Sequence, residues 1–180
     1  MVAASPGLVH ERAATGATRQ SASECFLEEI RHYLYAGDTA LHVAAAGFKW
    51  AIARQLISKG ADCSARNRRG AEPLHYAADA NRWSPAAQAR TISGLIHSGA
   101  NPNATDKSGV TPLHRAVRTR CAAAVKALLA GGADSRRKNG SGSSPLDLAT
   151  WNTGRGGSGT PRATEQQRKI LLLLREQAAG

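Results

Sequence analysis

The stretch GVTPLHRAVRTRCAAAVKALLAGGAD, residues 109–134, decides the fold. Pro112 stands at a position where a helix can begin, because the N–H that proline lacks would have no intrahelical partner there. After a short turn, Val125, Leu128 and Leu129 recur at helical spacing and form one apolar stripe. Gly132 follows the stripe as a C-terminal stop. Gly109, ahead of the proline, suits the positive φ of a tight hairpin turn. The stretch therefore reads as two short helices joined by a turn, with an apolar side that one such unit cannot bury alone.

The same unit recurs along the chain. Leu-His appears as Leu41-His42, Leu74-His75 and Leu113-His114, then as Leu146-Asp147, at intervals of 33, 39 and 33 residues. Gly37, Gly70, Gly109 and Gly142 each stand four residues before the leucine. Gly60-Ala61-Asp62, Gly99-Ala100-Asn101 and Gly132-Ala133-Asp134 each lie fourteen residues ahead of the next one. Three markers that keep one phase identify an internal repeat, and roughly three or more units must stack to seal their apolar faces.

These residues resemble the ankyrin repeat family, whose unit reads G-x-T-P-L-H-x-A-A, a turn, an apolar helix ending in L-L, then G-A-D. GDTALHVAAAGFKWAIARQLISKGAD (37–62) and residues 109–134 match nearly throughout. Residues 70–101 match with six additional residues, and 142–174 match at both ends of a longer insertion. The resemblance implies an all-α solenoid of stacked helix–turn–helix units with hairpin loops and capping helices. Repeats are expected at about 37–69, 70–108, 109–141 and 142–180. The residues support this independently: Pro73 and Pro145 match Pro112, Ala44, Ala45, Ala77 and Ala78 keep the inner helices slim, and Ile52, Leu56 and Ile57 form an outer stripe. In the second repeat, Ser84 and Pro85 are expected to start an extended outer helix, with Trp83 just before it. A capping helix is expected over 23–36, with Phe26, Leu27, Ile30 and Leu34 on one face and Ser21 and Glu24 as its capping box. The last helix, from Thr160-Pro161 to Glu176, closes the other end of a 23–180 domain. Residues 1–22 read as a loose, flexible tail, with a transit peptide as the lesser alternative.

Composition narrows the function classes. Only 4% of the 180 residues are aromatic, and the net charge is +11 with a pI near 10.4. That balance favours acidic partners and says nothing about fold. Cys25, Cys63 and Cys121 are dispersed, which argues against a disulfide framework or zinc site and fits a reducing, cytoplasmic setting. The longest aliphatic run, Ile170–Leu174, is far below the ~20 residues of a membrane span.

Candidates for chemistry are few. His42, His75 and His114 share one phase of three repeats, so they lie in a row and not around one metal ion; the resemblance gives them a structural role along with Gly37, Gly70, Gly109 and Gly142. NTGRGGSGT (152–160) has glycine spacing near that of a phosphate loop, but Thr160 stands where lysine is required. It reads as a flexible insertion, with a loosely held anion near Arg155 as the lesser alternative. No catalytic set, metal or cofactor is expected, and the chain is expected not to be an enzyme.

The resemblance implies binding in a concave groove of loop tips and inner helices. The tips offer Arg68, Arg69 and Lys107; the outward positions of the inner helices offer Tyr76, Asp79, Arg115, Arg118 and Trp151. Tyr, Trp and Arg are the types that most often dominate interface energy. The expected activity is that of a protein-binding adaptor, monomeric, whose partner carries an acidic segment. The alternative is a nucleic acid or other polyanion held by the basic loops RNRR (66–69) and RRK (136–138).

Overall fold

The computed structural model describes residues 6–18, 20–79, 83–151 and 160–179. The glycine-rich stretch 152–159, with Arg155, lies outside the described residues. Eight α-helices are described: α1 (Ala40–Ala46), α2 (Trp50–Ser58), α3 (Pro73–Ala78), α4 (Pro85–His97), α5 (Pro112–Arg118), α6 (Ala122–Ala130), α7 (Pro145–Thr150) and α8 (Pro161–Ala179). They stack in two layers, with α1, α3, α5 and α7 side by side as inner helices and α2, α4, α6 and α8 behind them.

Each inner helix starts where the local chemistry says it should. Pro73, Pro112 and Pro145 occupy the first turn. At α7 the caps are reciprocal: Asp147 N–H donates to Ser144 Oγ at 3.1 Å, and Ser144 N–H to Asp147 Oδ2 at 2.8 Å. Leu41, Leu74 and Leu113 are fully buried between the layers, with Ile92, Leu95 and Leu128 from the outer helices and Ile170 and Leu174 closing the end. Ala44, Ala45, Ala77 and Ala78 are buried too, leaving no bulk to hold neighbouring helices apart. The outer stripe of the first repeat is narrower than expected: Leu56 is buried, whereas Ile52 is 47% exposed on the convex side. The longer α4 begins at Pro85 as its sequence implies, and Gln88 at its buried face donates to the Ala77 carbonyl at 2.9 Å.

The hairpin loops form a second ladder beside the helices. Arg68 N–H donates to Ala36 O, Lys107 N–H to Arg69 O and Gly140 N–H to Ser108 O, all within 2.8–2.9 Å. This close approach is why Gly109 matters: its φ is +71°, and a Cβ there would meet the Gly140 nitrogen at 2.7 Å.

The N-terminal region differs from expectation. No capping helix forms over 23–36. A 3-10 turn at Ser23–Cys25 leads into β1 (Phe26–Leu27), which pairs antiparallel with β2 (His32–Tyr33) in the register Phe26–Tyr33 and Leu27–His32. Ser21 Oγ shares a hydrogen bond with Thr18 Oγ1 instead of capping a helix. The reason is tertiary: the Phe26 and Tyr33 rings pack at 4.9 Å across the hairpin, and His32 docks on the second repeat at a ring distance of 4.3 Å from Tyr76. A helix would satisfy the local apolar spacing but could not deliver both contacts. The segment read as a loose tail makes specific contacts over 6–18. Ala13 N–H donates to Asp38 O at 2.8 Å, Gly37 N–H to Ala13 O at 2.7 Å, and Val9 and Ala17 are buried.

Candidate functional site

The repeat histidines are held by hydrogen bonds that fix their state. Nδ1 of His42, His75 and His114 accepts the N–H of Thr39, Glu72 and Thr111, at 3.1, 3.1 and 3.2 Å. With Nδ1 accepting, the neutral ring carries its proton on Nε2, which donates to the carbonyls of Ala71, Val110 and Ser143 in the following loop. Each histidine thus caps its own helix and ties it to the next repeat. Burial lowers the pKa of all three, that of His75 to about 4, so they are neutral near pH 7. Among the described residues no group of three or more His, Cys, Asp or Glu is placed to hold a metal ion.

The proposed groove residues divide into three sets. Tyr76 is 2% exposed and is part of the floor, a correction to its expected role as a surface contact. Its hydroxyl donates to the Asp38 carboxylate, at 2.7 and 2.8 Å to the two oxygens, and receives Asn67 Nδ2 at 2.9 Å. Burial and the Asp38 charge push its pKa far upward, so the hydroxyl stays a donor. The hairpin covers it, which spacing within the repeat could not reveal.

Asp79 and Arg115 form a bridged cluster. Arg115 donates to Asp79 Oδ2 at 2.8 Å and to Asp106 Oδ2 at 3.1 Å, with all three side chains largely shielded. Burial raises the pKa of Asp79, but the Arg115 charge and the His32 hydrogen bond outweigh it and hold the carboxyl at about 2. Asp106 is likewise held low against burial by the N–H groups of Ser108 and Val110 and by Arg115. Arg115 is therefore committed to neighbours inside the array.

Arg68, Arg69, Lys107, Arg118 and Trp151 make up the third set. Arg69 lies over the Tyr35 ring at 5.0 Å, while Arg68 reaches back to the Ala17 carbonyl. Lys107 is exposed on its loop tip, Arg118 half-buried at the end of α5, and Trp151 is 61% exposed after α7. Reasoning on the repeats missed Arg31, Tyr33 and Tyr35, which the hairpin and the segment after it bring to the concave side. Together with Arg69, Arg115 and Arg118 they line a recess of about 360 Å³. Trp83, 47% exposed, lies under the Arg162 guanidinium at 3.4 Å from its ring centre and so links the second repeat to α8. No helix among the described residues is long and apolar enough to cross a membrane.

Comparison with known proteins agrees with this architecture. A family model described as "Ankyrin repeat" matches residues 36–68 and 69–107, and one described as "Ankyrin repeats (many copies)" matches 95–149. The mouse "Ankyrin repeat and SOCS box protein 16" is 36% identical over 115 residues, covering 62% of this chain and 25% of that protein. The mouse "NF-kappa-B inhibitor delta" is 33% identical over 118 residues, covering 63% of this chain and 34% of its own length. The Drosophila "Tyrosine-protein kinase Shark" is 36% identical over 114 residues, 63% of this chain and 12% of the kinase. The chain thus spans about a third or less of the curated relatives it matches. Ankyrin repeats are generally protein–protein interaction modules. The phased glycines, the buried histidine ties, the two-layered helix stack and these matches together place the chain in the ankyrin repeat family.

Proposed function

We propose that this chain is a non-enzymatic adaptor whose concave face holds an acidic segment of a partner protein. The observation that carries the reading is the composition of that face: Arg69 and Arg118 on its loop and inner-helix positions, with Trp151 exposed beyond them. Trp and Arg are among the residue types enriched at the hot spots of protein interfaces, where binding desolvates them. The net charge of +11 adds attraction toward acidic segments and speeds encounter at low salt. The chain works as a monomer in a reducing compartment such as the cytoplasm, in keeping with its free Cys25, Cys63 and Cys121.

The test is recovery of partners from native cells by the wild-type chain and by an Arg69/Arg118/Trp151 triple alanine variant. Arg115 is left intact because its removal would strand Asp79 and Asp106. Loss of a partner by the variant, with an unchanged circular dichroism spectrum, supports the groove; equal recovery of every partner refutes it. A second reading, polyanion binding, rests on the exposed run Arg136, Arg137 and Lys138. It requires oligonucleotide binding that weakens steeply with salt.

A further inference from the structure

We propose that the hairpin is a proton-operated latch, in which protonation of His32 ties β2 to the end of α3 and firms the wall of the concave groove. The two ring nitrogens meet different partners. Nδ1 lies 2.8 Å from the Tyr33 carbonyl oxygen, which can only accept, so Nδ1 carries a hydrogen. In the neutral ring Nε2 is then a bare acceptor, and it faces another acceptor, Asp79 Oδ2, at 3.8 Å. Asp79, held at about 2, is a carboxylate throughout the range where histidines titrate. Docking of the neutral form therefore rests on the stacking of His32 on Tyr76, whereas the imidazolium has a donor on both nitrogens and a charge that Asp79 attracts.

The groups around His32 decide the sign. At the end of α3, Asp79 also binds Arg115 of α5, but Arg115 is shared with Asp106, so these three groups together carry one negative charge. Beneath the Tyr76 ring, Asp38 keeps its own charge, because Tyr76, Asn67 and the Tyr35 N–H are neutral donors. His42 of α1, 4.0 Å from Asp38, is neutral near pH 7 because burial lowers its pKa. His32 thus faces one net negative charge and stacks on a ring that binds a second. The cations bordering the recess oppose this. Arg31, Glu28 and Glu29 on the hairpin are exposed and screened by water, as is Arg69 over the Tyr35 ring. Arg118 at the end of α5 is half-buried and has an interaction of its own. A proton that binds the docked hairpin better than the undocked one favours docking by the same factor, so docking strengthens as pH falls. Shielding a charged ring takes back part of the gain, and a change of about threefold in the docking equilibrium is expected for such a pair.

The test uses the full ¹⁵N-labelled chain without any partner, so its outcome is independent of the adaptor reading. Side-chain ¹⁵N spectra at high pH identify the tautomer: neutral His32 is expected to carry its proton on Nδ1, and His42, His75 and His114 on Nε2. Amide exchange is then followed from about pH 8 to about pH 5 at Leu34, which donates to Cys25 O, and at Ala17, which donates to Leu34 O. After correction for intrinsic rates, protection at both is expected to rise about threefold on acidification. The buried neutral His75 weakens the whole fold over the same range, so it cannot produce such a rise. His32→Phe keeps a ring on Tyr76 but cannot titrate, and Asp79→Asn keeps an acceptor for Arg115 without the charge; neither is expected to show the rise. Flat or falling protection in the wild type, a rise as large in either variant, or neutral His32 protonated on Nε2 would overturn the latch.

Discussion

Acidification should destabilise this chain through its buried histidines, and His75 sets the scale. Burial, reinforced by the Arg115 charge, holds its pKa at about 4 against an ordinary 6.5. Between those values the unfolded chain takes up a proton that the folded chain refuses, so stability falls as pH drops from about 6.5 and levels off below about 4. The gap corresponds to about 3 kcal/mol, a large share of a small domain's total. His42 and His114 act in the same direction, since burial lowers them as well. Asp79, held at about 2, and Asp106, also held low, lose their contribution only below the ordinary carboxylate range of 3.8. Glu72 opposes the trend: burial raises its pKa, so the folded state gains from its protonation. The perturbation that isolates the effect is His75→Asn, which retains an acceptor for the Glu72 N–H but cannot titrate. Urea unfolding of both proteins, followed by circular dichroism across this pH range, gives the slopes. The variant should start less stable, having lost the tie to Val110, yet lose about 3 kcal/mol less on acidification. Parallel slopes in the two proteins would refute the assignment of a buried neutral imidazole.

Three further outcomes follow from named contacts. Glu72 stands where Thr39 and Thr111 cap the neighbouring repeats, and its buried Oε2 has no hydrogen-bond partner among the described residues, so Glu72→Thr should raise stability by about 1–2 kcal/mol in thermal unfolding. No gain would mean that the carboxyl is better solvated than its burial indicates. Arg115→Ala strands two shielded carboxylates and should cost about 3 kcal/mol or more by urea titration, whereas adding Asp79→Asn and Asp106→Asn should recover part of it. Gly94→Ala, on the face of α4 turned to α2, would bring its Cβ to 2.5 Å from the Trp50 ring. It should destabilise by about 1–3 kcal/mol despite alanine's better helix propensity, an ordering that a melting curve checks directly.

Residues 109–134 and their phased copies were enough to define the helices, because the markers are local. Pro73, Pro85, Pro112, Pro145 and Pro161 each stand at a helix start, and the three repeat histidines do the same work at the same phase. A proline's missing donor or a glycine's positive φ acts within a few bonds, so a linear pattern carries it. The concave site was only partly legible. Arg69 is exposed on its loop tip, Trp151 is exposed and Arg118 half-buried at their inner-helix positions, but Tyr76 is buried and Arg31, Tyr33 and Tyr35 enter from outside the repeats. Phe26, Leu27, Ile30 and Leu34 satisfy a helical template, yet the chain there forms a hairpin. Its conformation is decided by the contacts of His32 with Tyr76 and Asp79, more than forty residues away, and Tyr76 in turn is fixed by Asp38. Sequence alone therefore determined the repeating stack, whose interactions recur at a fixed short spacing. Only the tertiary structure decided which side chains border the recess, because that depends on where a non-repeating segment finds room to bury its rings.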